Sequence, residues 1–155
     1  MKIETTKKEK LVKVVEHMIS NEVPLVSNLA NLSKILYDNF EGTCWCGFYI
    51  CDDESSSMYL GPFQGPVACT KIPYSKGVCG AAVREKETMI VPDVHKFKDH
   101  IACYSLTNSE VVVPVIKDDK VVAVIDLDSI NYDNFKEEDA FVLEQIANKI
   151  SSLFV

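Results

Sequence analysis

Two β-branched runs separated by four polar residues constrain the fold of this 155-residue chain more than any other feature. The first run is "EVVVPVI", which begins at Glu110, and the second is "VVAVIDLDS", which ends at Ser129. β-Branched side chains favour strands, and the intervening "KDDK" contains residues that favour turns. The sequence therefore predicts an antiparallel hairpin over residues 110–129, with a buried second strand.

Helical periodicity is found at both ends of the chain. Apolar residues at helical spacing predict three longer helices. They are Leu11, Val14, Val15, Met18 and Ile19 in the first, Leu29, Leu32, Leu36 and Phe40 in the second, and Val142, Ile146, Ile150 and Leu153 in the last. Thr6 and Glu9 form a candidate capping box for the first helix, which we expect to end at Asn21, before Pro24.

Short aromatic and β-branched segments fill the middle of the chain. Strands are predicted for "CWCGFYIC", "MYLGPF", "VACTKIP" and "TMIVP", and a short helix for "VCGAAVREK", opened by Gly77. The polar segment from Asp93 to Asn108 is expected to be a loop. No repeat or linker interrupts the pattern, so we expect one α+β domain over residues 1–155, with a mostly antiparallel sheet between terminal helices.

The charge balance argues against two classes of partner. The net charge is −7, which disfavours binding to nucleic acid or to an anionic membrane. No apolar run is long enough to span a bilayer, and the N-terminus lacks the apolar core of a secretory signal. We therefore expect a cytoplasmic protein with no membrane partner.

Six cysteines are more than a cytoplasmic chain usually carries. Cys69, Cys79 and Cys103 each lie beside a predicted turn or loop. They are either buried free thiols or reactive groups. The N-terminus of the predicted helix, together with Lys76, would lower the pKa of Cys79.

The other three cysteines share one predicted strand. By the period of two, Cys44 and Cys46 face one side and Cys51 faces the other. A structural zinc site commonly uses Cys-x-x-Cys pairs, and that spacing is absent here. We therefore expect no metal and assign these thiols to strand packing.

Three carboxylates lie at the edge of the predicted hairpin. Glu110 opens its first strand, and Asp126 and Asp128 share one side of its second. They could lie at a strand end in solvent, with Asp128 capping the turn at Ser129. Alternatively, they could supply a proton and anchor an ammonium group, because neighbouring carboxylates raise one another's pKa.

Several strings, taken together, resemble the free methionine-(R)-sulfoxide reductases, which are single GAF domains. They are "GPFQGPVACTKIPYSKGVCGAAV", "DVHKFKDHIAC", "TNSE", "VIDLDS" and "FKEED". The resemblance runs from about Phe40 to Asp139. It implies a GAF-type fold with the N- and C-terminal helices packed on one side of the sheet.

The resemblance also implies an activity and a set of roles. The family reduces free L-methionine-(R)-sulfoxide to methionine, without a cofactor, and is recycled by thioredoxin. Its nucleophile corresponds to Cys103, its resolving thiol to Cys69, and an accessory thiol to Cys79. Its substrate-binding residues correspond to Glu110, Asp126, Asp128, Trp45 and Tyr49. A homodimer is expected from the same resemblance.

The sequence departs from the family pattern in two places. Cys44 and Cys46 flank Trp45, where the family usually has Asn and a small residue, and Tyr104 follows Cys103 in place of an acidic residue. Two other functions remain open: a GAF domain that only binds a small ligand, and a redox sensor whose disulfide changes a partner surface. The redox sensor would carry the same cysteines.

Overall fold

The computed structural model describes residues 7–101 and 103–155. Within these ranges the α-helices are α1 Lys7–Met18, α2 Leu25–Asn39, α3 Gly77–Glu85 and α4 Glu137–Ile150. The strands are β1 Thr43–Asp52, β2 Ser57–Gln64, β3 Lys71–Pro73, β4 Met89–Val91, β5 Ser109–Lys117 and β6 Lys120–Ser129. No helix among the described residues has the length and apolar character needed to cross a bilayer.

The strands form one sheet in the order β3-β2-β1-β6-β5-β4, and every neighbouring pair is antiparallel. The predicted hairpin is formed by β5 and β6, with Val113 opposite Ile125, and β6 is one of the two central strands. The turn places Asp118 and Asp119 at φ values of 50° and 66°. Two consecutive left-handed residues match the twist of an antiparallel pair, and Asp tolerates that conformation.

Helices cover the two faces of the sheet unequally. α2 packs on β1 and β2, α4 packs on β5, and α1 packs on α2 and α4. We call this side the helix face; its sheet residues include Cys46, Phe48, Val113, Ile125 and Leu127. α3 packs on the opposite side, against β3 to β6. The predicted α+β arrangement, with the terminal helices on one side, is confirmed.

The opposite side, which we call the pocket face, buries a second cluster. Its members include Trp45, Tyr49, Val112, Val124 and Cys79. The two clusters alternate from Val111 to Val113 in β5 and from Val124 to Ile125 in β6, because successive side chains of a regular strand point to opposite sides.

The first helix differs from its predicted form. Val14 is 50% exposed, and Val12 is buried in its place. The helix ends at Met18, before the expected Asn21. Spacing alone cannot tell which edge of a broad apolar stripe meets the core. The predicted capping box includes Thr6, which lies outside the described residues.

The third strand is shorter than predicted. Only Lys71–Pro73 pairs with β2, whereas the segment from Val67 to Thr70 is irregular. Gly65, at a φ of 122°, and Pro66 turn the chain away from β2 before it returns. This turn leaves Cys69 in a loop beside the sheet edge.

Among the β1 cysteines, the predicted side was wrong for Cys44 and right for Cys46 and Cys51, which face opposite sides. Cys46 is fully buried on the helix face, whereas Cys44 and Cys51 pack against the cluster of the pocket face. The pairing of β1 with β6 shifts register between Thr43 and Trp45. Such an irregularity interrupts the alternation of side chains, so Cys44 and Trp45 share a side.

Candidate active site

A pocket opens on the pocket face between the sheet, α3 and residues 93–108, a segment that we call the thiol loop. It brings together residues that are far apart in the sequence. Seven of the eight predicted site residues line it: Trp45, Tyr49, Cys79, Cys103, Glu110, Asp126 and Asp128. The eighth, Cys69, is bonded to one of the seven, Cys103.

β1 supplies the aromatic wall. Trp45 stacks on Tyr49 and on Phe63, with ring centroids 5.9 and 5.4 Å apart. The indole Nε1 donates a hydrogen bond to the Pro66 carbonyl at 3.0 Å, and the Tyr49 hydroxyl donates to the Cys69 carbonyl at 2.9 Å. These bonds satisfy the polar ends of both rings and hold them in place.

Glycine makes room for this wall. A Cβ at Gly47 would lie 2.5 Å from Phe63 Cβ and 2.7 Å from Trp45 Cη2. Both distances are far below van der Waals contact, so any side chain at this position would displace a ring of the wall. Gly47 therefore packs directly beneath the stacked rings.

The carboxylates come from β5 and β6, the two strands of the predicted hairpin. Glu110 lies directly opposite Asp128, and Asp126 lies opposite Val112. Glu110 is 7% exposed and Asp126 is 5% exposed. The Oδ1 atoms of Asp126 and Asp128 are buried without a hydrogen-bond partner. The alternative of a solvent-exposed strand end is wrong, because α3 and the thiol loop cover this edge.

The predicted cap at the end of β6 is wrong as well. Ser129, rather than Asp128, organises the turn: its Oγ donates to the Gly42 carbonyl at 2.6 Å and accepts from the Asn131 amide at 3.0 Å. Asp128 therefore has no structural role in this turn.

Burial and mutual repulsion favour protonation of these groups. Burial, and then the charges of Asp126 and Asp128, raise the pKa of Glu110 well above its usual range. Burial and Asp126 raise the pKa of Asp128 in the same way. Burial also raises the pKa of Asp126, against hydrogen bonds from Glu110 and Cys79 that lower it. No Lys or Arg lines the described part of the pocket. The site can therefore hold a proton near neutral pH.

The expectation for Cys79 was wrong. It is the third residue of α3 and is 4% exposed. Burial, and then the charges of Asp126 and Glu110, raise the pKa of its thiol well above the usual value. The helix N-terminus and Lys76 would lower the pKa of Cys79, but burial and the two nearby carboxylates raise it by more. Cys79 is accordingly a poor nucleophile in this environment.

Cys69 and Cys103 form a disulfide across 34 residues of sequence, with their Cα atoms 5.4 Å apart. Cys69 belongs to the segment before β3, and Cys103 belongs to the thiol loop. The other four cysteines, Cys44, Cys46, Cys51 and Cys79, are free thiols. The bond joins the thiol loop to the far edge of the sheet, over the pocket.

Backbone hydrogen bonds anchor the thiol loop to its surroundings. The Gly77 amide donates to the Asp99 carbonyl at 2.9 Å, which ties the middle of the loop to the start of α3. The Asn108 amide donates to the Ser129 carbonyl at 2.8 Å, which ties its end to β6. Cys103 is therefore held between two fixed points.

The sequence missed some pocket residues. Phe63 stacks on Trp45, and its place in β2 could have been found from strand periodicity. Thr107 is 5% exposed, with its hydroxyl unpartnered; it lies in the string "TNSE", but the sequence assigned it no role. His100 lies in the string "DVHKFKDHIAC" and lines the pocket with an unpartnered Nδ1. Burial and the nearby His95 lower the pKa of His100, so it favours the neutral form.

Comparison with known proteins agrees with this geometry. The GAF domain model matches residues 29–154. The chain is 44% identical to "GAF domain-containing protein A" of Dictyostelium discoideum, over 89% of this chain and 86% of that protein. It is 42% identical to the free methionine-R-sulfoxide reductase of Saccharomyces cerevisiae, over 92% of this chain and 83% of that protein.

A solved structure gives the same relationship in three dimensions. The free methionine-R-sulfoxide reductase of Neisseria meningitidis, in complex with its substrate, superposes with a TM-score of 0.91. The two chains are 38% identical, and the match covers 99% of this chain and 94% of the other. The chain therefore belongs to the GAF domain family, in the branch that contains the free methionine-R-sulfoxide reductases.

Proposed function

We propose that this protein reduces free L-methionine-(R)-sulfoxide to L-methionine. The observation that carries the proposal is a bonded cysteine pair, one member of which lines a pocket that combines an aromatic wall with three clustered carboxylates. The reductases of Saccharomyces cerevisiae and Escherichia coli support it, at 42% and 37% identity over most of the chain.

Electrostatics favour a free amino acid as the substrate. Glu110 and Asp128 are the carboxyls that hold protons, whereas hydrogen bonds from Glu110 and Cys79 favour the charged form of Asp126. No Lys or Arg among the described pocket residues balances that negative charge. An α-ammonium group would supply the missing positive charge in a site of low dielectric constant. A methionine sulfoxide inside a peptide lacks this group, so it would lose the interaction.

The aromatic wall fits the other end of the substrate. Once the sulfoxide oxygen is protonated, the methyl and sulfur carry partial positive charge, which is attracted to the face of an indole. We assign this role to Trp45, with Tyr49 as the second ring of the wall.

Protonation is the first chemical step that we propose. A sulfoxide sulfur is a poor electrophile until its oxygen accepts a proton. Glu110 and Asp128, with raised pKa values, retain protons at a pH at which exposed carboxyls have lost them. One of them donates to the sulfoxide oxygen.

Thiol attack follows. The Cys103 thiolate attacks the sulfur of the protonated sulfoxide and forms a sulfur–sulfur bond to it. The hydroxyl group then moves from the substrate sulfur to the Cys103 sulfur as that bond breaks, so methionine leaves and Cys103 becomes a sulfenic acid. The Cys69 thiol then attacks that sulfenic acid, which releases water and forms the disulfide. The bonded Cys69–Cys103 pair corresponds to this product state. Thioredoxin restores both thiols by exchange and takes up the disulfide itself.

Cys79 has an accessory role in this scheme. Its thiol lies beside Asp126 and is kept protonated by burial. We propose that it orients the Asp126 carboxylate and does not attack the substrate.

Turnover through thioredoxin tests the proposal. NADPH oxidation would be followed with thioredoxin and thioredoxin reductase, using free methionine-(R)-sulfoxide, its (S) epimer and an N-acetylated (R) form. We expect turnover of the free (R) epimer alone, and its loss in Cys103→Ser. Cys51→Ser is the matched control, because Cys51 is a free thiol that does not line the pocket.

A negative result would be informative if thioredoxin is shown to reduce a standard disulfide substrate. No turnover of any sulfoxide, with reversible formation of the Cys69–Cys103 bond, would point to a redox sensor instead. Binding without turnover and without disulfide cycling would point to a ligand-binding GAF domain.

Two further expectations belong with this proposal. A thioredoxin-recycled thiol enzyme needs a reducing compartment, so we propose a cytoplasmic location. We also propose a homodimer, because the family resemblance implies one. Light scattering of the purified protein would test it.

A further inference from the structure

One atom set in the pocket has the arrangement of a metal-binding site. The sulfur of Cys79 and one carboxylate oxygen each from Glu110 and Asp126 lie within 4.8 Å of one another, and all three residues are buried. Small side-chain rotations would bring such atoms to metal–ligand distances of about 2.0–2.3 Å.

The three side chains are fixed by three different elements. Glu110 projects from β5, Asp126 from β6 and Cys79 from α3, which packs on both strands. The strands are paired throughout this region, with Glu110 opposite Asp128 and Val112 opposite Asp126. A site on rigid elements retains its geometry without a bound ligand.

A second observation shows that one oxygen of this cluster lacks a partner. Asp126 is 5% exposed, yet its Oδ1 has no hydrogen-bond partner, and the residue faces the pocket. A buried carboxylate oxygen without a donor is costly, and a cation is the partner that it accepts best. No Lys or Arg of the described pocket lining provides one.

We propose that Cys79, Glu110 and Asp126 bind a divalent cation that favours thiolate, such as Zn²⁺ or Cd²⁺. One sulfur and two carboxylate oxygens suit zinc-like ions, whereas Mg²⁺ and Ca²⁺ prefer oxygen ligands alone. Three protein ligands leave a fourth tetrahedral position open toward the pocket. On binding, the thiol and any protonated carboxyl release their protons to solvent.

Occupation of this site would exclude a cationic group from the same carboxylates. The metal and the ammonium group of an amino acid would therefore compete for the pocket. The inference itself does not depend on the proposed reductase activity, because the site consists of residues whose positions are given by the fold.

Cadmium titration of the oxidised protein tests the inference. In this form Cys69 and Cys103 are locked in their disulfide, so the thiolate must come from the four free cysteines. We expect one Cd²⁺ per chain, with the ultraviolet charge-transfer absorption of a thiolate–cadmium bond. Cys79→Ser should abolish this absorption. Cys51→Ser should retain it, because Cys51 does not line the pocket.

A second variant keeps the test decisive if Cys79→Ser does not fold. Glu110→Gln keeps the thiol and the shape of the side chain, and we expect it to weaken Cd²⁺ binding at least about tenfold. Far-ultraviolet circular dichroism would show whether each variant is folded; if Cys79→Ser is not, Glu110→Gln decides.

Three results would overturn the inference: no charge-transfer absorption in the wild-type protein, full absorption in folded Cys79→Ser, or unchanged affinity in folded Glu110→Gln. No sulfoxide is used in this experiment. Its failure would therefore leave the reductase proposal standing, and failure of the turnover assay would leave this inference standing.

Discussion

The helix face of the sheet packs against α1, α2 and α4, whereas the pocket face packs against α3 and the thiol loop. Strand β6 contributes side chains to both faces of the sheet. Ile125 and Leu127 point into the apolar helix face, and Asp126 and Asp128 alternate with them on the pocket face. One face buries side chains that stabilise the fold by leaving water. The other buries like charges that repel one another.

Along β6, side chains that stabilise the fold therefore alternate with side chains of the candidate site. Buried carboxylates without a cation reduce the stability of the unliganded protein, so stability does not account for their position, and such clusters are typical of functional sites. The helix face shows no comparable conflict among its clustered sheet residues, which are apolar side chains and Cys46. The predictions below test this division, in order of decreasing effect.

The largest effect is expected from replacing one cysteine by serine on each face. Cys103→Ser should lower turnover of free methionine-(R)-sulfoxide by at least about a thousandfold, the scale on which loss of a nucleophile acts. Cys46→Ser, on the helix face, should destabilise the fold by about 1–3 kcal/mol, because it buries a hydroxyl. It should leave kcat of the folded protein unchanged. Comparable loss of kcat in both variants would contradict the division.

Neighbouring positions on β6 should respond in opposite ways. Ile125→Ala creates a cavity in the helix-face core and should cost about 2–5 kcal/mol of unfolding free energy. Asp126→Asn removes a buried charge at nearly constant volume, so its unfolding free energy should stay within about 1 kcal/mol of wild type while activity falls. Urea denaturation measures both. A larger loss of stability in Asp126→Asn would show that this carboxylate supports the fold.

The aromatic wall should be sensitive to one methyl group. Gly47→Ala places a Cβ at 2.5 Å from Phe63 Cβ, so a ring or strand must move. Overpacking of this kind costs about 1–3 kcal/mol. We also expect KM to rise more than kcat falls, because the proposed role of the wall is to bind substrate. Gly61→Ala is the control, since its new Cβ would lie no closer than 3.1 Å to its neighbours; equal effects would contradict the assignment.

The smallest effect concerns pH. The pKa values of Glu110 and Asp128 are raised in the folded state, so the native protein binds more protons than the unfolded chain above the ordinary carboxyl range. Stability should therefore fall as pH rises through that range and on toward the raised values, by at most about 1.4 kcal/mol per pH unit for each extra proton.

Comparison with Glu110→Gln isolates this contribution. The lowered pKa of His100 acts with the opposite sign, since the folded protein loses stability as that histidine is protonated at acidic pH. That contribution cancels in the difference between the two proteins. Urea denaturation as a function of pH should give a shallower decline for Glu110→Gln. Identical slopes would mean that the carboxylates are not held protonated.

Much of the fold was predictable because it depends on local patterns. The β-branched runs predicted β5 and β6, helical periodicity predicted α2 and α4, and the period of two predicted that Asp126 and Asp128 share a side. The family resemblance, rather than spacing, singled out Cys69 and Cys103 as a pair. The strands, the helices and the shared side of Asp126 and Asp128 depend on patterns within one element, which the sequence specifies directly.

Only the tertiary structure decided the environment of the site residues. Cys79 begins a helix, as predicted, yet burial beside Asp126 and Glu110 raises the pKa that the helix alone would lower. A register shift in β1 moved Cys44 to the side of Trp45, against simple alternation. Desolvation and repulsion depend on which distant segments pack over a residue. The sequence by itself therefore determined the elements and the direction of their side chains, whereas the assembled fold determined their charge and reactivity.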